Sequence, residues 1–335
     1  MTSLRIAHPL FIIPLLLISN ILYASANNFP KYLEGDEPSY FVYVPSEEST
    51  NRDAHVEFFL SVKYPIADKT FDRLIGCTFD LDGLGHWKDC LLGKAQLDKE
   101  IRWDHKLYFV YNGQYDFFSG TRNSSPIVSR RQNPGVSYKV SQVKSPSYIK
   151  HIKFSWFHES NGQYLDEEAY NDALANGENL FELNSRYGLN ARDHISRGWD
   201  YAELELALNW KSLDATVKYR NHCDCQAFGM EDKEDNIFWD PANTNRGGIT
   251  EFKGLDVIAS YTYRFGNDFV NWIRLSYQFG TGEFDYFGKN ITQKYALTVR
   301  VVELPFTIFY FDGYGEDIAQ YHLRSQYIGV GFEFW

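Results

Sequence analysis

The sequence predicts an all-β protein, a twelve-stranded antiparallel transmembrane β-barrel. Three features predict it: period-two alternation, a rhythm of long and short connections, and an aromatic last strand. Strands are expected near 38–44, 55–65, 105–117, 134–143, 147–159, 198–210, 213–222, 255–265, 270–280, 293–302, 305–314 and 326–335. In the fifth, Ile152, Phe154 and Trp156 make an apolar face and Lys153, Ser155 and Glu159 a polar one. In the sixth, Ala202, Leu204, Leu206 and Leu208 alternate with Tyr201, Glu203 and Glu205. In the eighth, Leu255, Val257, Ala259, Tyr261, Tyr263 and Phe265 alternate with a set that includes Asp256, Ser260, Thr262 and Arg264. Ile273 to Phe279 and Tyr295 to Val301 repeat the pattern, with Arg274, Thr298 and Arg300 on the polar side. Successive side chains of a strand point to opposite faces, so each segment has one lipid-facing and one inward side.

The connections after the third strand run long, short, long, short: 118–133, 144–146, 160–197, 211–212, 223–254 and 266–269. Long outer loops and tight inner turns produce this order in a closed barrel with an even strand count. Pro305 falls at one of the tight turns, where a missing N–H costs least. Residues 66–104, which contain Cys77, Trp87 and Cys90, break the rhythm as an insertion where a short turn is expected. The chain closes on Phe332-Glu333-Phe334-Trp335. A soluble β-sandwich accounts for neither the loop rhythm nor this last strand.

Residues 1–26 read as a signal peptide. Arg5 is their only charge, an apolar run spans Leu10 to Leu22, and Ala24-Ser25-Ala26 supplies the small residues of a cleavage site. Residues 27–335 are then the mature barrel, exported to the outer membrane, and losing Arg5 takes the formal charge from -11 to -12. No apolar run elsewhere reaches the length of a spanning helix. So acidic a chain lacks the basic footprint of a nucleic-acid binder. Aromatic residues make up 17% of the chain, which suits the girdles of a membrane barrel and also occurs in large sandwiches. Four cysteines, Cys77, Cys90, Cys223 and Cys225, permit disulfides in an exported chain, and their pairing stays open. Their spacing matches no zinc motif.

The chemistry concentrates at Phe154-Ser-Trp-Phe-His-Glu-Ser-Asn-Gly162. His158 and Ser160 continue the apolar face of the fifth strand, so they stand on the lipid-facing wall near its outer end. Asp200 is in phase with the apolar face of the sixth strand. Neighbouring strands of a meander bring a carboxylate, an imidazole and a hydroxyl to one rim, the set used in nucleophilic acyl transfer. A His-x-Ser pair alone is common, and a rim His or Asp can serve as a headgroup anchor; the shared face on two strands favours catalysis. No Gly-x-Ser-x-Gly elbow surrounds Ser160, which argues against a soluble lipase.

His158-Glu159-Ser160-Asn161-Gly162 with Ser196-Arg197-Gly198-Trp199-Asp200 resembles the signature of the outer-membrane phospholipase A family, calcium-dependent phospholipases A1. The resemblance extends to Asn123-Ser124-Ser125-Pro126, Gly313-Tyr314-Gly315-Glu316 and Gly329-Val330-Gly331. It implies a twelve-stranded barrel that hydrolyses phospholipid acyl esters, with Ser160 as nucleophile, His158 as general base and the N–H of Gly162 in the oxyanion hole. It also implies a Ca2+ cofactor bound by the Gln163 carbonyl, the Ser196 hydroxyl and Ser124 of the partner subunit, and hence activity in a homodimer. Asp200 stands where well-known members carry Asn, and Gln163 where they carry Arg. The connection 164–195 exceeds the family's usual length. The competing expectation is a non-enzymatic barrel, a porin or structural protein; Glu203, Glu205, Lys153, Arg264 and Arg274 on the inward side read instead as an interior salt-bridge network.

Overall fold

The computed structural model describes residues 33–46, 53–66, 103–120, 127–142, 148–161, 198–223, 248–266, 269–316 and 323–334. The strands all lie in one unit, Gly35–Trp335. The signal-peptide span, the cysteines other than Cys223, and positions 67–102 of the insertion lie outside the described residues.

Twelve strands close into one barrel: β1 (Ser39–Val44), β2 (His55–Pro65), β3 (Trp103–Phe117), β4 (Ile127–Gln142), β5 (Ile149–Ser160), β6 (Gly198–Trp210), β7 (Leu213–Cys223), β8 (Leu255–Arg264), β9 (Val270–Thr281), β10 (Thr292–Val301), β11 (Leu304–Gly313) and β12 (Ser325–Phe334). Each pairs antiparallel with its neighbours in sequence, and β1 closes on β12 from Ser39↔Phe334 to Tyr43↔Val330. Closure leaves no sheet edge, the condition for strands to cross hydrocarbon with every backbone group paired.

The alternation sorts as expected. On β11 and β12, Phe306, Ile308, Tyr310, Ile328 and Val330 are exposed on the outer wall, while Thr307, Phe309, Phe311 and Tyr327 are buried inside. Phe154, Leu204, Leu275 and Leu297 extend the apolar wall around the barrel. An apolar surface that encircles the molecule is far larger than a water-soluble monomer tolerates, and marks a membrane-facing wall. Exposed aromatics flank it: Tyr148, Trp210 and Phe269 at the short-turn end, Phe284 and Phe287 in the β9–β10 connection at the other.

The lumen is filled with paired charges. Lys153 contacts Asp36 at 2.9 Å and Glu205 at 3.1 Å; Lys218 reaches Glu37 and, at 3.5 Å, Glu205. Arg220 bridges Glu203 at 3.0 Å and Asp256 at 2.6 Å, and Arg274 pairs with Glu333 at 3.2 Å. The inward charges expected from the sequence form this network, except Arg264, which sits exposed at the end of β8. Buried charges persist only when so compensated, and side chains that meet across the lumen leave little room for a channel.

β4 begins at Ile127, seven positions before its expected start at 134, and the cause is a bulge. Gln114 pairs with Arg131 and Tyr115 with Ser129, which leaves Arg130 as the extra residue of β4. A bulge lets two consecutive residues face the same side. Arg130 binds Asp116 at 2.7 Å and Arg131 binds Glu159 at 2.7 Å, both inside. Alternation is therefore absent from this part of the sequence.

Val302 starts the two-residue β10–β11 turn with φ 56°, and Pro305 follows as the second residue of β11. A β-branched residue in the left-handed region carries a steric cost that Asn largely escapes. Val302 is half-exposed, so little packing is lost on replacement. We expect Val302→Asn to stabilise the barrel by about 1 kcal/mol, read as a higher urea midpoint in lipid vesicles with an unchanged slope.

Candidate active site

His158 and Ser160 belong to the last three residues of β5, and Asp200 is the third residue of β6. In the β5–β6 ladder His158 lies directly opposite Asp200, Glu159 opposite Trp199, and Ser160 opposite Gly198. Directly opposed side chains of an antiparallel pair stand close enough for contact. His158 Nδ1 and Asp200 Oδ1 are 2.8 Å apart. A carboxylate oxygen accepts, so the ring presents Nδ1–H to Asp200. Asp200 is almost fully buried beside the ring, whereas His158 keeps 15% of its side chain accessible on the outer face.

Ser160 follows two positions along the same outer face, about 6.6 Å of strand rise from His158. It pairs with Gln132 of β4 on its other side. Ser160 lies within β5, one residue beyond the strand end expected from the sequence, so the paired sheet extends to the hydroxyl. The structure thus brings His158, Asp200 and Ser160 to one rim, on the face that Ile152, Phe154 and Trp156 continue downward.

Behind this face stands a group that alternation placed inside without revealing its partners. The buried Glu159 carboxylate contacts Arg131 Nε at 2.7 Å and accepts from Lys253 Nζ at 3.1 Å and from Trp199 Nε1 at 3.0 Å. Lys253 comes from residues 248–254, which turn inward through a short 3-10 segment, Ile249–Glu251. Ile249 and Phe252 pack there with Tyr108, Val110, Phe157, Trp199 and Tyr201. Burial, reinforced by the nearby Arg131 guanidinium, pushes the Lys253 ammonium down to about 8 despite Glu159. Inward phase marked Glu159 in the sequence, but Arg131 follows the bulge and Lys253 lies in the long 223–254 connection, where no period identifies it.

The remaining expected site residues, Gly162 for the oxyanion and Ser124, Gln163 and Ser196 for the metal, lie outside the described residues. Among the described residues His55, Glu57 and Asp116 bring ligand-type atoms within 4.8 Å of one another inside the barrel. Arg130 already neutralises Asp116, and Tyr40 donates to Glu57 at 2.6 Å, so this group reads as part of the interior network. An open apolar groove of about 520 Å³ runs along the outer wall of β7–β12, over Leu213, Tyr261, Leu275, Leu297 and Ile308. It belongs to the membrane-facing wall and lies away from β5 and β6.

The fold and the polar rim on an apolar wall define a transmembrane β-barrel with a candidate hydrolytic site facing lipid. No family model and no curated protein matches the chain. Solved structures do. Outer membrane phospholipase A from Escherichia coli matches with a TM-score of 0.55 and 14% identity, over 92% of this chain and 93% of that one. The Salmonella typhi outer membrane phospholipase, solved as a dimer with bound calcium, matches with 0.57 and 15% over the same shares. An active-site mutant of the Escherichia coli protein matches with 0.55 and 14%. The chain shares the barrel fold of outer membrane phospholipase A, and at this identity the likeness is one of fold.

Proposed function

We propose that the protein is an outer-membrane phospholipase that hydrolyses phospholipid acyl esters with Ser160, His158 and Asp200. The observation that carries this reading is the 2.8 Å contact between His158 Nδ1 and Asp200 Oδ1 on the lipid-facing wall, two residues from Ser160. On an apolar membrane wall polar groups are costly unless paired or used. The Asp200 carboxylate orients the imidazole, and the ring stays partly accessible on the outer face, where a substrate ester would lie.

In this reading His158 Nε2 takes the Ser160 hydroxyl proton as Oγ attacks the acyl carbonyl carbon. The tetrahedral intermediate collapses by breaking the ester C–O bond, and His158 returns the proton to the leaving lysophospholipid alkoxide. Water then attacks the acyl-Ser160 ester with His158 again as base, releasing a fatty acid and restoring the hydroxyl. Asp200 stabilises the imidazolium formed in each half. The Gly162 N–H, two residues beyond the nucleophile, serves the oxyanion. The oxygen-only set of the Gln163 carbonyl, the Ser196 hydroxyl and Ser124 of the partner subunit suits a calcium ion, whose charge would also stabilise the oxyanion. A site shared between subunits makes activity depend on protein concentration and restrains lipolysis of the host membrane.

The paired charges that fill the lumen speak against a porin. The test is hydrolysis of defined phosphatidylcholine micelles by protein refolded in detergent. We expect turnover that rises with protein concentration and with added calcium, and that a chelator removes. A refolded barrel that releases no fatty acid at any calcium concentration would contradict the proposal.

A further inference from the structure

We infer that Glu159 is a positioning residue for this site, fixing the outer end of β5 from inside the barrel through Arg131, Trp199 and Lys253. The inference rests on the hydrolase reading above and names a device that reading does not contain. Glu159 sits between His158 and Ser160 in sequence, on the opposite face of the strand. Its three partners each adjoin the site. Arg131 precedes Gln132, which pairs with Ser160. Trp199 precedes Asp200, and Lys253 belongs to the segment packed under the rim. One carboxylate thereby joins β4, β5, β6 and residues 248–254 at the level of the His158–Asp200 pair. Arg131 also donates from Nη2 to the Gly315 carbonyl at 3.0 Å, so the segment after β11 ties to the same anchor.

Strand ends open more readily than strand centres, and Ser160 is the last residue of β5. A hydroxyl and an imidazole two residues apart react only if the backbone between them keeps its pleat, and small misplacements are expensive in rate. On the outer wall the His158–Asp200 contact links β5 to β6, and lipid contacts do not fix a strand end. The interior does, with a buried carboxylate held between a guanidinium and an ammonium.

The experiment compares refolded wild type, Glu159→Gln, Trp199→Phe and Lys153→Met. Readouts are kcat, KM and the rate at which a sulfonyl fluoride labels Ser160. Lys153 is as buried and as ion-paired, but lies in the network around Asp36 and Glu205, away from the site. We expect Glu159→Gln to lower kcat and the labelling rate together by about ten- to a hundredfold, with KM within about threefold, since no lipid contact is lost. Trp199→Phe removes a single donor and should give a smaller loss of the same kind, and it carries the test if Glu159→Gln does not refold. Lys153→Met should lower stability while Ser160 labels at the wild-type rate. Wild-type labelling in a folded Glu159 or Trp199 variant overturns the inference, and so does equal slowing in Lys153→Met, which marks a general structural effect. If wild-type protein is itself unlabelled, the hydrolase reading fails and takes the inference with it.

Discussion

Ser160→Ala is expected to cut phospholipid hydrolysis by about 10⁴- to 10⁶-fold while leaving the barrel folded. The magnitude follows from the nucleophile's part in the chemistry. Without the hydroxyl no acyl intermediate forms, and only binding and oxyanion stabilisation remain. The fold should tolerate the change because Ser160 contributes backbone pairing to β4 and β6, and alanine preserves both ladders. Fatty-acid release from micelles, measured beside a gel shift or circular dichroism of the refolded barrel, separates lost chemistry from lost structure. Unchanged turnover in the folded variant would remove Ser160 from the nucleophile's role.

The second large effect concerns the acidic partner of the histidine. Asp200→Ala should lower kcat by about 10³- to 10⁴-fold, since it removes both the acceptor that selects the tautomer and the charge that stabilises the imidazolium. Asp200→Asn should retain more activity than Asp200→Ala when its amide oxygen faces the ring; the flipped amide would select the wrong tautomer. An amide oxygen can occupy the Oδ1 position and accept from Nδ1–H at the present 2.8 Å. The resemblance to proteins that carry Asn at this place supports the same expectation. An Asn variant as inactive as the Ala variant, yet folded, would show that the negative charge and not the hydrogen bond does the work. Steady-state kinetics on the three proteins at one calcium concentration distinguishes these outcomes.

The parts of the fold legible in the sequence are those governed by period two. β6 appears over 198–210 as expected, and β8 to β12 fall within one or two residues of their expected bounds. One face of each meets lipid and the other meets the packed interior, so alternation survives intact. It fails where geometry departs from a regular ladder. The Arg130 bulge turns two neighbouring arginines inward, and a strand whose consecutive residues share a face has no period to read. The candidate trio was legible for the same reason the strands were: His158, Ser160 and Asp200 are polar residues in phase with apolar ones. Its internal support was not. Glu159 belongs to the expected inward face, but its partners lie 28 positions earlier, on the bulged strand, and in a long connection. The first contact follows from β4–β5 pairing beside the bulge and the second from the inward course of residues 248–254, neither of which a local pattern encodes.

The interior network also explains how a chain rich in charge forms a membrane barrel. Lys153, Lys218, Arg220 and Arg274 each meet carboxylates inside, so the outer wall can remain apolar while the sequence as a whole stays acidic. Breaking one partner of such a pair strands the other in a low-dielectric interior. Lys153→Met therefore suits the role of structural control for the site.

Covalent labelling decides whether Ser160 is an activated nucleophile on the lipid-facing wall. Refolded protein in detergent with calcium is treated with a long-chain sulfonyl fluoride, digested, and the adduct mapped by mass spectrometry. One major adduct on Ser160 is expected, formed in parallel with loss of hydrolysis and suppressed in His158→Ala. An adduct confined to another residue, or inactivation without modification of Ser160, would contradict it.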